Sequence, residues 1–391
     1  MKRIVILCDG TWNVAEHSHP TNVVRLAQAL APSGDDGLVQ VPVYVEGVGT
    51  GRRGVTWLAR TSDRVLGGML GLGLLDNVVE AYRHLVFLYE PGDEVYVFGF
   101  SRGAFTARSL VGFIGFTGLL SRADLARLPE AVARYTERRQ ESAARRQMRN
   151  AEWRALHSPW IITDPADAPV YAEFGADQAI PFDIDYLGVW DTVGALGVPG
   201  LLTPGTVTHR RYAFHDTALG PMVRSARHAV AIDERRKPFR PTLWDNLEAL
   251  NADREGRPYR QEYFPGDHGA VGGGGPITHQ SAVALDWIMA GAEAAGLGFD
   301  PLVRRNVAEE GDPLGHLQSS DPPNGGLFAK AMRRFGRSRD PVATWEAVSE
   351  AARRRWACEF ESTPPYRPPP LGPREAELRA WKAERAGGRV T

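Results

Sequence analysis

Residues 94 to 103 read EVYVFGFSRG, a run in which an apolar strand enters a Gly-x-Ser-x-Gly turn. Strand signals cover Glu94 to Phe98, and apolar residues recur at helical intervals from Ala104 onward. Gly99 and Gly103 flank the serine of the turn, so the backbone can bend sharply there without side-chain overlap. The pattern predicts a nucleophile elbow, and a plain strand-to-helix turn is the alternative.

An elbow of this kind gives the serine a chemical setting. It would hold the Ser101 hydroxyl clear of the backbone at the N-terminus of the following helix. The Arg102 N–H and the helix dipole would then face a negative charge that develops on a substrate oxygen. We therefore predict Ser101 as the nucleophile and Arg102 as one donor of an oxyanion hole.

Strand-like and helix-like runs alternate along the first 295 residues, as a mostly parallel sheet requires. The predicted strands besides 94–98 are 3–8, 39–45, 184–190 and the run that ends at Phe264. The predicted helices are one that starts near Thr21, then 77–89, the run after Ala104, and 278–294. Together they predict an α/β-hydrolase-like fold, with a mostly parallel central sheet flanked by helices.

Composition limits the classes of function. The chain has 391 residues and a formal net charge of −1, so no global field favours nucleic acid. Two cysteines are too few for a disulfide framework, which favours a reducing, cytoplasmic setting. The apolar start at Ile4 is interrupted by Asp9, so it predicts a strand rather than an export signal, and we find no apolar run long enough to span a bilayer.

Two segments differ in amino-acid composition from the rest of the chain. Within residues 121–180 a capping box precedes an apolar stripe that gives way to many arginines, with Trp153 and Trp160 nearby. A lid over the site, a lipid or protein contact surface, and a solvated helical hairpin all fit this pattern. We predict a catalytic domain over residues 1–298 that includes this insertion, and a Pro/Arg-rich extension over 299–391 that wraps the domain or binds a partner.

The extension is predicted to hold short helices over 343–357 and 374–385, with a proline-rich run between them.

A serine nucleophile needs a base and an orienting acid, which in this fold follow in the order Ser, Asp or Glu, His. His268 lies in a glycine-flanked loop just after an apolar strand and is the best candidate base. Asp191 ends the run Tyr186 to Trp190 and is the best candidate acid. The weaker candidates are His228, which fits a packed core residue, His279 at a helix start, Asp233, Asp245 and Asp267.

A second oxyanion donor is expected from the loop after the first strand, where Gly10 and Thr11 follow Asp9. Asp-Gly-Thr also occurs in phosphatases of the haloacid-dehalogenase type, but their nucleophilic aspartate would fall at position 7, which is Leu7. The glycines at 272–275 lack the Lys and Ser/Thr of a P-loop. No cluster has zinc spacing, and we predict neither metal nor cofactor.

Six segments in order resemble the uncharacterised α/β-hydrolase domain family that includes the catalytic domain of type VI secretion phospholipase effectors. These segments are 4–13, 46–50, 99–104, 188–194, 228–235 and 264–274. The resemblance implies a serine esterase that acts on acyl chains of glycerophospholipids, with Ser101, Asp191 and His268 as the matching triad. It covers neither the Arg-rich insertion nor the extension.

We therefore expect a small-molecule or lipid ester as substrate, with a membrane surface as a candidate contact. An amide or peptide hydrolase with the same triad and a catalytically silent binding protein are the alternatives. A panel of esters and peptides separates the first alternative, and fluorophosphonate labelling of Ser101 separates the second.

Overall fold

A six-stranded parallel sheet forms the centre of the molecule in the computed structural model, which describes residues 1–10, 13, 15–47, 63–137, 142–194, 217–318, 336–359 and 364–387. Its strands are β1 (Arg3–Cys8), β2 (Gln40–Val45), β3 (Glu94–Phe100), β6 (Tyr186–Trp190), β7 (Ala226–Ala231) and β8 (Tyr259–Phe264). They lie in the order β2-β1-β3-β6-β7-β8, and every neighbouring pair is parallel. A separate two-stranded sheet joins β4 (Ile161–Ile162) to β5 (Ile180–Pro181).

Helices cover both faces of the sheet. They are α1 (Asn22–Ala29), α2 (Asp63–Leu88), α3 (Arg102–Thr117), α4 (Leu128–Thr136), α5 (Ala143–His157), α6 (Ala168–Glu173), α7 (Leu247–Asn251), α8 (His268–Gly272), α9 (His279–Ala294), α10 (Pro301–Glu310), α11 (Glu350–Ala357) and α12 (Glu375–Gly387). Because a strand presents successive side chains to opposite faces, β1 supplies two cores. Ile4 and Ile6 pack with α2 and α3, whereas Val5 and Leu7 pack with α1 and α9.

This architecture explains the continuous apolar strands, because both faces of each central strand are buried. It confirms the predicted fold class, an α/β-hydrolase-like fold with a mostly parallel sheet flanked by helices. The carboxyl ends of β1, β3, β6 and β7 meet at one edge, where polar side chains from distant parts of the sequence can converge. Among the described residues, no helix combines the length and apolar character needed to cross a membrane.

Two predicted elements differ from the structure, and one strand of the structure was not predicted. Helix α2 begins at Asp63 rather than at residue 77, and β7 was not predicted as a strand, since Ala-Arg-His-Ala lacks the usual β-branched residues. The predicted helix over 343–357 is wrong before residue 350. Its first half pairs with the edge of β8 instead, where the Tyr263 N–H donates to the Ala347 carbonyl at 2.8 Å, and the Ser349 side chain then caps α11.

The insertion packs along the second half of α3. Tyr135 contacts the rings of Phe113 and Phe116, and the buried Arg154 pairs with Asp167 and donates to the carbonyl of Gly115 at 2.7 Å. These contacts lie on the order of 20 Å along the helix from its first residue. The lid over the site therefore stays a prediction without contacts to support it among the described residues.

The described part of the extension packs on the sheet. Its apolar residues join side chains of β7 and β8 in one cluster, which contains Val230, Ile232, Tyr263, Val342, Val348, Ala352, Trp356, Tyr366, Leu371 and Leu378. The division at residue 298 stays a prediction, but the residues beyond it share this core with the rest of the molecule.

Candidate active site

Ser101 lies at a strained turn between β3 and α3. Its backbone has φ 58° and ψ −120°, in a region that L-residues rarely adopt, and it directly precedes the first turn of α3. The turn is possible because both flanking glycines touch backbone: a Cβ on Gly99 would lie 2.5 Å from the Gly103 carbonyl oxygen, and one on Gly103 would overlap the Cys8 carbonyl oxygen. This is the backbone form of a nucleophile elbow.

His268 reaches the serine from the start of α8. The Asp267 side chain caps this helix by accepting from the Ala270 N–H at 3.0 Å, which fixes where the histidine leaves the backbone. The His268 Nε2 lies 2.8 Å from the Ser101 Oγ. The imidazole packs against two aromatic rings, those of Phe100 and Phe239, at centroid distances of 4.6 and 4.7 Å.

Asp191 completes the line from the end of β6. Its Oδ2 lies 2.6 Å from the His268 Nδ1, and its Oδ1 accepts from the Ala231 N–H at 3.0 Å. These partners assign the proton to Nδ1, which leaves Nε2 to accept from the serine hydroxyl. Like Ser101, Asp191 has a positive φ, at 37°, and it is fully buried.

Arg339 was not predicted, and it holds the other side of Asp191. Its Nη1 lies 2.6 Å from Oδ1 and its Nη2 lies 2.8 Å from Oδ2. Burial alone would raise the pKa of Asp191, but the charges of Arg339 and His268 and their hydrogen bonds hold it well below its usual range. The carboxylate is therefore charged in the folded protein. No local sequence signal marks Arg339 within the Arg-rich extension.

The predicted oxyanion donors are only partly described. Arg102 is the first residue of α3, so its N–H is one of the helix-terminal groups without an intrahelical carbonyl. Gly10 lies beside Ser101, since a Cβ on it would lie 3.4 Å from the Ser101 Cβ. Its N–H, however, donates to the Asp9 Oδ1 at 2.6 Å. Thr11 lies outside the described residues.

Asp9 is a buried acid next to this loop. Its carboxylate accepts from the Tyr44 and Thr21 hydroxyls at 2.8 and 2.9 Å, and burial raises its pKa. These bonds tie the end of β1 to β2 and to the start of α1, and the same carboxylate accepts the Gly10 N–H beside Ser101.

The competing histidines and acids are engaged elsewhere. His228 donates from Nδ1 to the Gln261 Oε1 at 2.9 Å and accepts the Thr192 N–H at 3.2 Å, and burial lowers its pKa to about 3. The remaining candidates bind other groups: His279 lies near the Glu310 carbonyl, Asp233 accepts from Gly266 and Tyr366, Asp245 pairs with Thr217, and Asp267 caps α8. Within the described ranges no three or more His, Cys, Asp or Glu side chains group as metal ligands.

The sheet order, the elbow and the line of contacts from Ser101 to Asp191 are those of the α/β-hydrolase class of proteins. Comparison with known families narrows this class. Residues 2–291 match the family model described as type VI secretion system phospholipase effector Tle1-like, catalytic domain, and the chain belongs to this family.

Individual relatives are distant. The uncharacterized protein YEL023C of Saccharomyces cerevisiae is 28% identical over 251 residues, which are 61% of this chain and 32% of the yeast protein. The chain thus spans about a third of the length of that relative. Among solved structures, the Tle1 effector bound to the VgrG spike of the type 6 secretion system is similar with a TM-score of 0.44 and 15% identity, over 90% of this chain and 82% of that one. An uncharacterized protein from Pseudomonas aeruginosa gives a TM-score of 0.40 and 16% identity, over 98% of this chain and 59% of that one.

Proposed function

We propose that the protein is a serine hydrolase that cleaves carboxylic esters of lipids, with the acyl esters of phospholipids as the substrate class. One observation carries this proposal: the Ser101 Oγ, the two nitrogens of His268 and the Asp191 carboxylate are joined by contacts of 2.8 and 2.6 Å. Membership of a phospholipase effector family supports the lipid substrate.

The proposed reaction passes through an acyl-enzyme. His268 takes the hydroxyl proton on Nε2 while the Ser101 Oγ bonds to the ester carbonyl carbon and the carbonyl electron pair moves to oxygen. The imidazolium then gives that proton to the departing alcohol as the carbon–oxygen ester bond breaks. Water repeats the sequence on the acyl-enzyme and releases the carboxylic acid, while Asp191 keeps the imidazole in its orientation and stabilises its charge.

The oxyanion would be met first by the Arg102 N–H at the start of α3, where the helix dipole adds to the attraction. Gly10 and Thr11 remain the proposed second donors. The Gly10 N–H donates to the Asp9 Oδ1 at 2.6 Å in this structure. To act as a donor to the oxyanion, it would have to break this bond and bind the substrate oxygen.

A lipid substrate brings two further proposals. We place the encounter with substrate at a membrane surface, and we place the protein in a reducing, cytoplasmic compartment. Both cysteines, Cys8 and Cys358, are free thiols in the structure, which supports a reducing setting.

Replacing the nucleophile tests the proposal directly. Ser101→Ala is expected to lower hydrolysis of p-nitrophenyl butyrate and of mixed phospholipid vesicles by at least about a thousandfold, with a melting temperature close to that of the unmodified protein. Ser109→Ala, which changes another buried serine, inside the helix that follows Ser101, serves as the matched control and should retain activity.

A fluorophosphonate probe should label the unmodified protein and Ser109→Ala, but not Ser101→Ala. Full hydrolysis by Ser101→Ala would overturn the proposed nucleophile. Turnover of peptides in preference to esters would replace the ester hydrolase by an amide hydrolase, and absence of both turnover and labelling would leave a binding protein.

A further inference from the structure

Arg339 reaches the candidate triad from beyond the part of the chain that matches the family model. The match ends at residue 291, and Arg339 lies 148 residues after Asp191. Its guanidinium nevertheless forms a two-bond pair with the Asp191 carboxylate, at 2.6 and 2.8 Å, and the two side chains are 3% and 0% exposed. A buried bidentate pair of this kind is held in one geometry rather than sampling many.

We propose that Arg339 is a positioning residue for the hydrolase reaction: it fixes the plane of the Asp191 carboxylate so that Oδ2 faces His268, and thereby makes turnover depend on the C-terminal extension. This inference rests on the proposed function, because it assigns Arg339 to the same reaction.

The carboxylate is fully occupied by this arrangement. Oδ1 receives the Ala231 N–H and Arg339 Nη1, whereas Oδ2 receives Arg339 Nη2 and the Nδ1 of His268. A carboxylate offers about four acceptor positions, so no rotation of the group can improve one bond without breaking another. Arg339 thus selects the single orientation in which the histidine keeps its proton on Nδ1.

The guanidinium is itself fixed by a residue that touches the histidine. Nη2 of Arg339 also donates to the Phe239 carbonyl at 2.9 Å, and the Phe239 ring packs edge-on against His268 at 4.7 Å. Backbone bonds hold the segment around Arg339 in place. The Arg337 N–H donates to the Arg235 carbonyl at 3.1 Å, and the Val342 N–H donates to the Pro370 carbonyl at 2.9 Å.

Charge gives the proposal a measurable sign. The titratable and charged groups that act on Asp191, Arg339 or His268 from the surrounding elements are His228, Glu234, Arg236 and Tyr263. Arg339 and His268 are in direct contact with Asp191, and Arg339 carries its positive charge whether or not His268 is protonated. Without the positive charge of Arg339, the negative charge of Asp191 attracts a proton to the Asp191–His268 pair more strongly. The pair should therefore take up that proton at a higher pH.

Three variants of the full-length protein separate positioning from simple support of the fold. Arg339→Met removes the charge at similar length, Arg339→Lys keeps the charge but not the two-bond geometry, and Arg337→Met changes an exposed arginine two residues away. We expect Arg339→Met to lower kcat for p-nitrophenyl butyrate by about 10- to 100-fold with little change in KM. The acidic limb of its profile of kcat against pH should move to higher pH by about one pH unit or more.

The other two variants sharpen this result. Arg339→Lys should show a reduced kcat but an acidic limb near that of the unmodified protein, and Arg337→Met should change neither quantity. A merely structural arginine would lower the melting temperature and the amount of active protein without moving the limb. An unmoved limb in Arg339→Met, or an unchanged kcat in Arg339→Lys, would overturn the proposal.

Histidine NMR provides a readout that needs no substrate. In protein with isotopically labelled histidine, the resonance of the proton that the His268 Nδ1 shares with Asp191 should move in Arg339→Met and stay in place in Arg337→Met, with the resonance assigned through His268→Gln. If the unmodified protein hydrolyses no ester but this resonance moves in Arg339→Met, the proposed function fails while the Arg339 coupling stands. If esters are hydrolysed and neither the resonance nor the limb moves, the Arg339 coupling fails while the proposed function stands.

Discussion

Ser101 and Asp191 both sit at positive φ at the carboxyl ends of neighbouring strands, yet they are supported by different means. We call the Ser101 side of the proposed triad the nucleophile end and the Asp191 side the acid end. The nucleophile end is held by backbone: two glycines, the carbonyl of Cys8 and the Trp190 carbonyl, which accepts the Ser101 N–H at 3.0 Å. The acid end is held by charge. Asp191 is fully buried, and its carboxylate is fixed by Arg339, which comes from a distant part of the chain.

The difference concerns what each end contributes to folding. A serine hydroxyl in an elbow contributes little to the free energy of unfolding, because the strain lies in the backbone and remains when the hydroxyl is removed. A buried carboxylate bonded to a buried guanidinium is different, since removal of one partner leaves the other charged and unsolvated. We therefore expect changes at the acid end to cost stability as well as activity, and changes of the Ser101 hydroxyl to cost activity alone.

Asp191→Asn should produce the largest effect. The amide cannot hold the histidine in the required tautomer, so we expect activity to fall by about 10⁴-fold. It also leaves Arg339 buried without its counter-charge, which should lower the free energy of unfolding by about 3–5 kcal/mol. Urea denaturation of this variant and of Ser101→Ala measures the contrast.

Asp183→Asn is the matched control for the stability part. Asp183 also pairs with an arginine, Arg224, but that arginine side chain is 61% exposed, so the expected loss is below about 1 kcal/mol. An Asp191→Asn protein as stable as the unmodified one would show that the two ends do not differ in their contribution to folding.

The backbone end is tested by Gly103→Ala. The added methyl would overlap the Cys8 carbonyl oxygen, and backbone on both sides prevents relief, so we expect a loss of at least about 3 kcal/mol in the free energy of unfolding. Gly115→Ala lies on the same helix with only ordinary contact to a Met222 methyl group at 3.7 Å. It should be neutral or stabilising by up to about 1 kcal/mol. Equal effects of the two changes would remove the steric basis of the elbow.

A third prediction compares a buried histidine, His228, with an exposed one, His279. Burial lowers the pKa of His228 to about 3, so the ring is neutral in the folded protein while it takes up a proton near pH 6.5 when unfolded. Below that pH the unfolded chain binds a proton that the folded protein excludes, and stability falls as the pH decreases toward 3. This site should account for about 2 kcal/mol of the loss between pH 7 and pH 5.

Urea titrations at the two pH values measure this loss, and His228→Gln should reduce the difference by that amount. His279→Gln, which changes an exposed histidine, should not. A His228→Gln protein with an undiminished pH dependence would mean that the proton enters the folded protein elsewhere.

Sequence reasoning reached the nucleophile end because its determinants are local. The apolar strand, both glycines and the serine fall within ten residues, and each has a steric reason to be there. His268 and Asp191 followed from chain order and from their positions after apolar strands, and the structure brings both to Ser101. Their catalytic use remains a proposal.

The acid end was less accessible, because its charge balance depends on a contact across 148 residues. Arg337 and Arg339 stand two residues apart in the same Arg-rich segment, and no periodicity distinguishes the buried one from the exposed one. The same reason explains why the predicted helix over 343–357 is wrong before residue 350. The chain there pairs with the edge of β8 in place of forming a helix, and this tertiary interaction is not visible in the sequence of the segment alone.

The smallest effect is expected at an exposed Arg–Asp pair next to Arg339. The Nη2 of Arg240 donates to both oxygens of Asp340, the residue that follows Arg339, at 3.1 and 2.7 Å, and the two side chains are 68% and 59% exposed. Because water and salt screen such a pair, Arg240→Met should lower the free energy of unfolding by less than about 0.5 kcal/mol and leave kcat/KM unchanged. A loss above about 1 kcal/mol, measured by urea denaturation at low and high salt, would mean that membership of this segment matters more than burial of the charges. The acid end would then owe its sensitivity to the segment as a whole and not to the desolvated contact between Arg339 and Asp191.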